Sequence, residues 1–109
     1  MYQKGDVVLV PFPFTDLSSS KTRPAVVVNV EEFERETGNL TVAMITSVRH
    51  ETSFDCEIKD WKAAHLLTAS WVRMKFATLE PSLVRYQPGK LTKGDMTDVD
   101  KKIRHALGL

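Results

Sequence analysis

Cysteine is almost missing from this 109-residue chain. The lone thiol, Cys56, has no intramolecular partner, so no disulfide framework holds the fold and a reducing compartment is the expected setting. An excess of one charge is missing as well: 15 Lys and Arg against 14 Asp and Glu leave a formal net charge of +1. A general polyanion binder is more basic than that, so any contact with nucleic acid must be local. Long apolar runs are missing too, because Asp6, Pro11 and Pro13 interrupt the amino-terminal stretch. Neither a signal peptide nor a membrane span is expected, no membrane partner is implied, and the chain is expected to stay in the cytoplasm. There is no internal repeat. Ser18-Ser19-Ser20 and the acidic run from Glu31 to Glu36 are the only biased stretches, and both are too short to link domains. What remains is 42% hydrophobic and 27% charged, an ordinary globular composition, and residues 1–109 read as one domain around one core.

Within that domain the apolar residues mostly follow a period of two. Val7-Val8-Leu9-Val10 is a short β-branched run whose far end Pro11 and Pro13 place at an edge or a bend. Thr15 to Lys21 has loop chemistry, and Ala25 to Val30 reads as a strand buried on both faces. Glu31 to Gly38 is a loop or one helical turn, and Leu40 to Ser47 is strand-like. Phe54, Cys56 and Ile58 alternate with Asp55 and Glu57, which predicts a half-buried strand with the thiol inward. Trp61 to Leu67 suits a helical turn. From Ser70 to Phe76, Val72, Met74 and Phe76 share one face and Trp71, Arg73 and Lys75 the other, and Ser82 to Tyr86 suits a last short strand. The tail changes period: Leu91, Met96, Val99, Ile103, Ala106 and Leu107 fit a helical stripe. Thr92-Lys93-Gly94-Asp95 matches a capping box, Arg104 and His105 suit the negative end of the dipole, and Gly108 suits the stop. The expected fold is mostly β: a strongly bent antiparallel sheet or small barrel closed by a carboxy-terminal amphipathic helix.

The candidate chemistry begins at Lys21-Thr22-Arg23-Pro24, read as the entrance to the second strand. A guanidinium fork matches phosphate oxygens bidentately, Pro24 fixes the backbone after it, and Lys21 adds a second charge. On composition alone, a solvated arginine that starts a strand is the simpler reading. Thr46-Ser47 places two hydroxyls at the end of an apolar strand, where they can bond a phosphate or a sugar hydroxyl, or simply begin a turn.

Together these segments say more. Gly5-Asp6-Val7-Val8-Leu9-Val10-Pro11-Phe12-Pro13-Phe14-Thr15-Asp16, then Lys21-Thr22-Arg23-Pro24-Ala25-Val26-Val27-Val28, resembles the amino-terminal signature of the PemK/MazF family of toxin endoribonucleases. Val42 to Ser47 resembles the family's apolar-Thr-Ser strand, Ser70-Trp71-Val72-Arg73 through Thr78-Leu79 a later strand, and Gly89-Lys90-Leu91 the lead-in to the last helix. The resemblance implies an SH3-like barrel of the CcdB/PemK kind with a terminal helix, homodimerisation, and a single-stranded RNA groove blocked by a cognate antitoxin. It implies cleavage without metal or other cofactor, by attack of a ribose 2′-hydroxyl on the adjacent phosphate. The family's catalytic arginine and threonine fall on Arg23 and Thr46. Lys21, Asp16, Ser47, Arg49, Lys75 and Thr78 complete the expected RNA-binding set. Two departures stand out: Ser18-Ser19-Ser20 lies where many members carry an acidic residue, leaving Asp16 as the nearest carboxylate, and Ala77 stands where other members can have an arginine.

Other residues are read conservatively. His50, Cys56 and His65 match no zinc spacing, so no metal site is expected. His50 reads as an exposed loop histidine beside Arg49. Trp71 suits either a stacked base or a dimer interface. Lys101, Lys102 and Arg104 read as the solvated face of the last helix. No residue is an obvious general base. The alternative function is a non-catalytic binding protein of the same fold, either a gyrase poison or an attenuated regulatory homologue.

Overall fold

The computed structural model describes residues 1–13 and 20–109. Strand β1 (Asp6–Pro13) pairs antiparallel with β2 (Ser20–Val27) from Val7 opposite Val26 to Pro13 opposite Ser20. Next come helix α1 (Glu31–Thr37), β3 (Leu40–Thr46), β4 (Cys56–Ile58), β5 (Ser70–Leu79), a 3₁₀ turn (Pro81–Leu83), β6 (Tyr86–Lys90) and helix α2 (Lys93–Leu107). One antiparallel six-stranded sheet runs in the order β4-β5-β3-β2-β1-β6 and curls into a half-barrel closed by α2. The mostly β, barrel-like expectation is therefore met.

Period-two alternation explains why the sheet is buried on both sides. Val8, Val10 and Phe12 of β1, Ala25 and Val27 of β2, and Leu40, Val42 and Met44 of β3 point to one cluster. Val7, Val26, Ala43 and Ile45, the residues between them, point to the other, which Leu91, Met96 and Val99 cover from the α2 side. Eight valines among the described residues are fully buried, each stabilising by about 1.5–3 kcal/mol. An exposed pair such as Arg35 with Glu31, at 3.3 Å, contributes under about 1 kcal/mol, so packing rather than surface charge decides the fold.

Several boundaries differ from the sequence reading. The valine strand ends at Val27, and Glu31 to Thr37 is a full short helix with acidic residues in its first turn, ending at Gly38, whose N–H donates to Glu34 O at 2.8 Å. Arg23 lies inside β2 opposite Val10, rather than at the strand entrance. Phe54 is outside β4: Thr52 N and Oγ1 donate to Asp55 Oδ2 at 3.2 and 2.9 Å, a side-chain-locked turn that competes with extension. Phe54 instead packs on His105, with ring centroids 4.9 Å apart. Cys56 is inward, as expected; burial first, then the neighbouring Asp98 carboxylate, pushes its thiol up to about 11. Pro81 opens a 3₁₀ turn where a last strand was expected, and the strand forms later as β6, an edge strand that tolerates Pro88.

Helix α2 starts as expected. The Thr92 side chain accepts from Asp95 N at 3.1 Å, and Gly108 closes the helix at φ 71°, a conformation that suits glycine. Asp95, however, does not bond back to its cap. Its buried carboxylate accepts from Lys59 N at 3.0 Å and Asp60 N at 2.9 Å, tying α2 to the turn after β4. Leu91 precedes the helix, and Leu107 is exposed because the last turn outruns the core. No described helix is long and apolar enough to cross a membrane.

Candidate functional site

The β2–β3 ladder pairs Ala25 with Met44, Val26 with Ala43 and Val27 with Val42, and there it stops. In each pair the residue numbers sum to 69, so the same register continued would set Pro24 opposite Ile45 and Arg23 opposite Thr46. Both strands do continue, but each holds only its outer neighbour: Pro24 and Arg23 pair with Leu9 and Val10 of β1, while Ile45 and Thr46 pair with Val72 and Trp71 of β5. Pro24 has no N–H to offer a ladder. Irregular pairing between Ala43 and Ile45 bends β3 at the same level, and a second irregularity between Val7 and Leu9 bends β1. The sheet therefore splits.

The split opens a cleft of about 620 Å³. Leu9, Pro24 and Ile45 give it an apolar floor, and Arg23, Thr46 and Ser47 provide polar groups. Adjacent residues of one strand line it together because it is a gap between strands, not a pit on one face. Its other wall is the segment from His65 to Ser70, with Tyr86 and Pro88 of β6.

The polar groups are held in place. Arg23 is half-buried, with its Nε out of solvent. Thr46 Oγ1 accepts from Val48 N at 3.1 Å, which fixes the hydroxyl oxygen and leaves its proton to donate. His65 ends a turn in which its own N–H donates to Lys62 O at 3.0 Å and Leu66 N donates to Trp61 O at 3.0 Å. This is the helical turn expected over 61–67, formed as a tight turn rather than a helix. His65 takes φ 61°, and its Nδ1 lies 2.7 Å from Pro88 O.

Of the sequence-predicted site, the structure gathers Arg23, Thr46 and Ser47 into the cleft. Lys21 is exposed on β2 opposite Phe12, two residues from Arg23 and outside the cleft lining. Arg49 is exposed beyond β3, 3.9 Å from Glu51. Lys75 lines a separate depression with Thr52, Asp55 and Arg73. Thr78 is at the far end of β5, its Oγ1 3.4 Å from that of Thr41, where β3 begins. Asp16 lies outside the described residues. Trp71 is half-buried and is the cross-strand neighbour of Thr46. Among the described residues no three of His, Cys, Asp and Glu gather as metal ligands. Sequence reasoning missed Leu9, Tyr86 and the cleft position of His65. The sole available signal for His65 was its placement in a turn-forming stretch, and nothing local ties that stretch to β2.

Comparison with known proteins bears on the family and the fold. A family model described as PemK-like, MazF-like toxin of type II toxin-antitoxin system matches residues 3–107. Among solved structures, MazF from Deinococcus radiodurans is 22% identical with a TM-score of 0.79, covering 99% of this chain and 97% of its own. A mycobacterial endoribonuclease in complex with its cognate antitoxin is 17% identical with a TM-score of 0.84, covering 100% and 97%. The Mycobacterium tuberculosis toxin MazF-mt6 is 19% identical with a TM-score of 0.78, covering 95% and 97%. No curated protein matches by sequence.

Proposed function

The chain belongs to the PemK-like, MazF-like toxin family of type II toxin–antitoxin systems, and on that premise we propose that it is a metal-independent, sequence-selective endoribonuclease acting on single-stranded RNA in the cytoplasm. The observation that supports the reading is that Arg23 and Thr46 line one cleft from the two sides of the gap where β2 and β3 part. Attack of a ribose 2′-hydroxyl on the adjacent phosphate builds negative charge on the phosphate oxygens. Arg23 neutralises that charge through its fork of donors, and Thr46 gives its hydroxyl proton to the same oxygens while Val48 N–H holds its oxygen. One preorganised donor of this kind is worth about 3 kcal/mol of transition-state stabilisation. Arginine does not give up its proton readily, so Arg23 acts as a charge stabiliser. Ser47 bonds the sugar or phosphate next in line, and Lys21 on β2 and Arg49 past the end of β3 contact flanking nucleotides, whereas Lys75 and Thr78 lie away from the cleft and take no part in this reading.

A homodimer and a cognate antitoxin that occupies the groove complete the proposal; a structurally similar mycobacterial endoribonuclease is found with its antitoxin. The test is incubation of purified protein with long single-stranded RNA in EDTA, beside Arg23→Ala, with cut sites mapped by primer extension. Discrete cuts lost in the variant are expected. Intact RNA, or cleavage that the variant retains, overturns the reading.

A further inference from the structure

Three features meet at His65, two of them from the same close approach of β6. Its backbone occupies the left-handed region, at φ 61°, which is uncommon for a residue with a Cβ although histidine enters it more readily than most, and which Glu51 also takes. Its Nδ1 is 2.7 Å from Pro88 O. A carbonyl oxygen can only accept, so Nδ1 carries the hydrogen, and in the neutral ring Nε2 is the nitrogen with the lone pair. Finally, β6 approaches the turn so closely that a Cβ on Gly89 would lie 2.6 Å from Ala64 O and 3.2 Å from His65 Nδ1. Glycine there lets the strand seat the ring. A left-handed backbone, a fixed tautomer and a glycine clearance thus present one imidazole to the cleft that holds Arg23 and Thr46. Among the described residues, the other titratable groups lining that cleft are Arg23 from β2 and Tyr86 from β6. Neither suits proton abstraction: a guanidinium has no free lone pair to offer, and a phenol oxygen is a weaker base than an imidazole nitrogen.

We propose that His65 Nε2 is the general base of the cleavage, an assignment that rests on the RNA-cleaving reading above. Nε2 takes the proton of the ribose 2′-hydroxyl as the 2′-oxygen bonds to phosphorus. The bond from phosphorus to the 5′-oxygen breaks, and that oxygen takes a proton from water. The imidazolium returns its proton to the hydroxide so formed, leaving a cyclic phosphate, a 5′-hydroxyl and the original enzyme. The Nδ1–H bond to Pro88 O steadies the ring in both protonation states.

The test uses His65→Gly and His65→Asn, both of which tolerate the left-handed backbone, so thermal stability is expected to hold or rise. Single-turnover cleavage of a mapped RNA is followed from about pH 5 to about pH 9, with RNA affinity measured alongside. Wild type is expected to show an acid limb in its rate profile. Both variants are expected to lose about 100-fold or more in rate, lose that limb, and keep their RNA affinity, with added imidazole partly restoring His65→Gly. Rates within about threefold of wild type, or an acid limb that survives in the variants, overturn the assignment. Wild-type protein that cuts no RNA at all overturns the function as well; wild type that cuts while the variants keep pace overturns only the role of His65.

Discussion

Arg23 and a lysine in its place carry the same charge in different shapes. A guanidinium presents paired donors in a plane, and an ammonium presents a point charge. Arg23→Lys should therefore lose about 100-fold in cleavage rate while the protein melts as wild type, read by RNA cleavage beside thermal unfolding. Cys56 gives a prediction of another kind. Its thiol is held near 11 against an ordinary 9.0, so the unfolded chain loses this proton first as pH rises. The thiol's contribution to stability is complete below about pH 9 and is lost between about pH 9 and 11, up to about 2–3 kcal/mol. Urea unfolding of wild type should show that alkaline decline, and Cys56→Ala should show less of it. At this scale the sequence was informative where a residue sits in a distinctive string. Arg23 within Lys-Thr-Arg-Pro and Thr46 after an apolar strand were legible, and the cleft joins them. His65 was not legible, because its φ and its bond to Pro88 depend on a strand 23 positions further on.

At the scale of elements, the turn over 59–66 matters most, because it carries one wall of the cleft and is pinned from a distance. Asp95 holds its first two amides from the start of α2. Asp95→Ala removes both bonds and leaves two N–H groups without their acceptor. A loss of about 2–4 kcal/mol in urea unfolding is expected, together with slower cleavage because the wall loosens. Gly89→Ala should act on the same turn from the other side, with the added methyl forcing β6 away. About 1–3 kcal/mol of destabilisation is expected by thermal unfolding. The strands and α2 were legible as elements because their apolar periods are local. Their ends were legible only in part. Thr52 and Asp55 lock a turn through side chains, Pro81 starts a 3₁₀ turn, and an edge position lets Pro88 into a strand. Each of those outcomes depends on tertiary placement as well as on residue type.

For the whole molecule, near-neutrality limits how the proposed RNA substrate can be held. A net charge of +1 gives no broad attractive field, so binding depends on a few cations at the cleft and its flanks. RNA affinity should fall with salt along a shallow line. A slope of magnitude about 1–2 in log affinity against log salt is expected, the signature of two or three neutralised phosphates per site. Fluorescence anisotropy of a labelled oligonucleotide on a cleavage-deficient variant reads it, and a slope of magnitude above about 5 would contradict the local picture.

The split in the sheet also bears on how such a protein can be tuned. Arg23 is carried by β1's side of the fold and Thr46 by β5's, with no ladder between them at that level. Their separation is therefore a difference between two frameworks, each with its own packing. A methylene gained or lost under Val10 or Val72 moves one framework against the other, and closely packed cores register changes that small. The proposed activity can accordingly be graded by substitutions in the core, with Arg23, Thr46 and Ser47 left as they are.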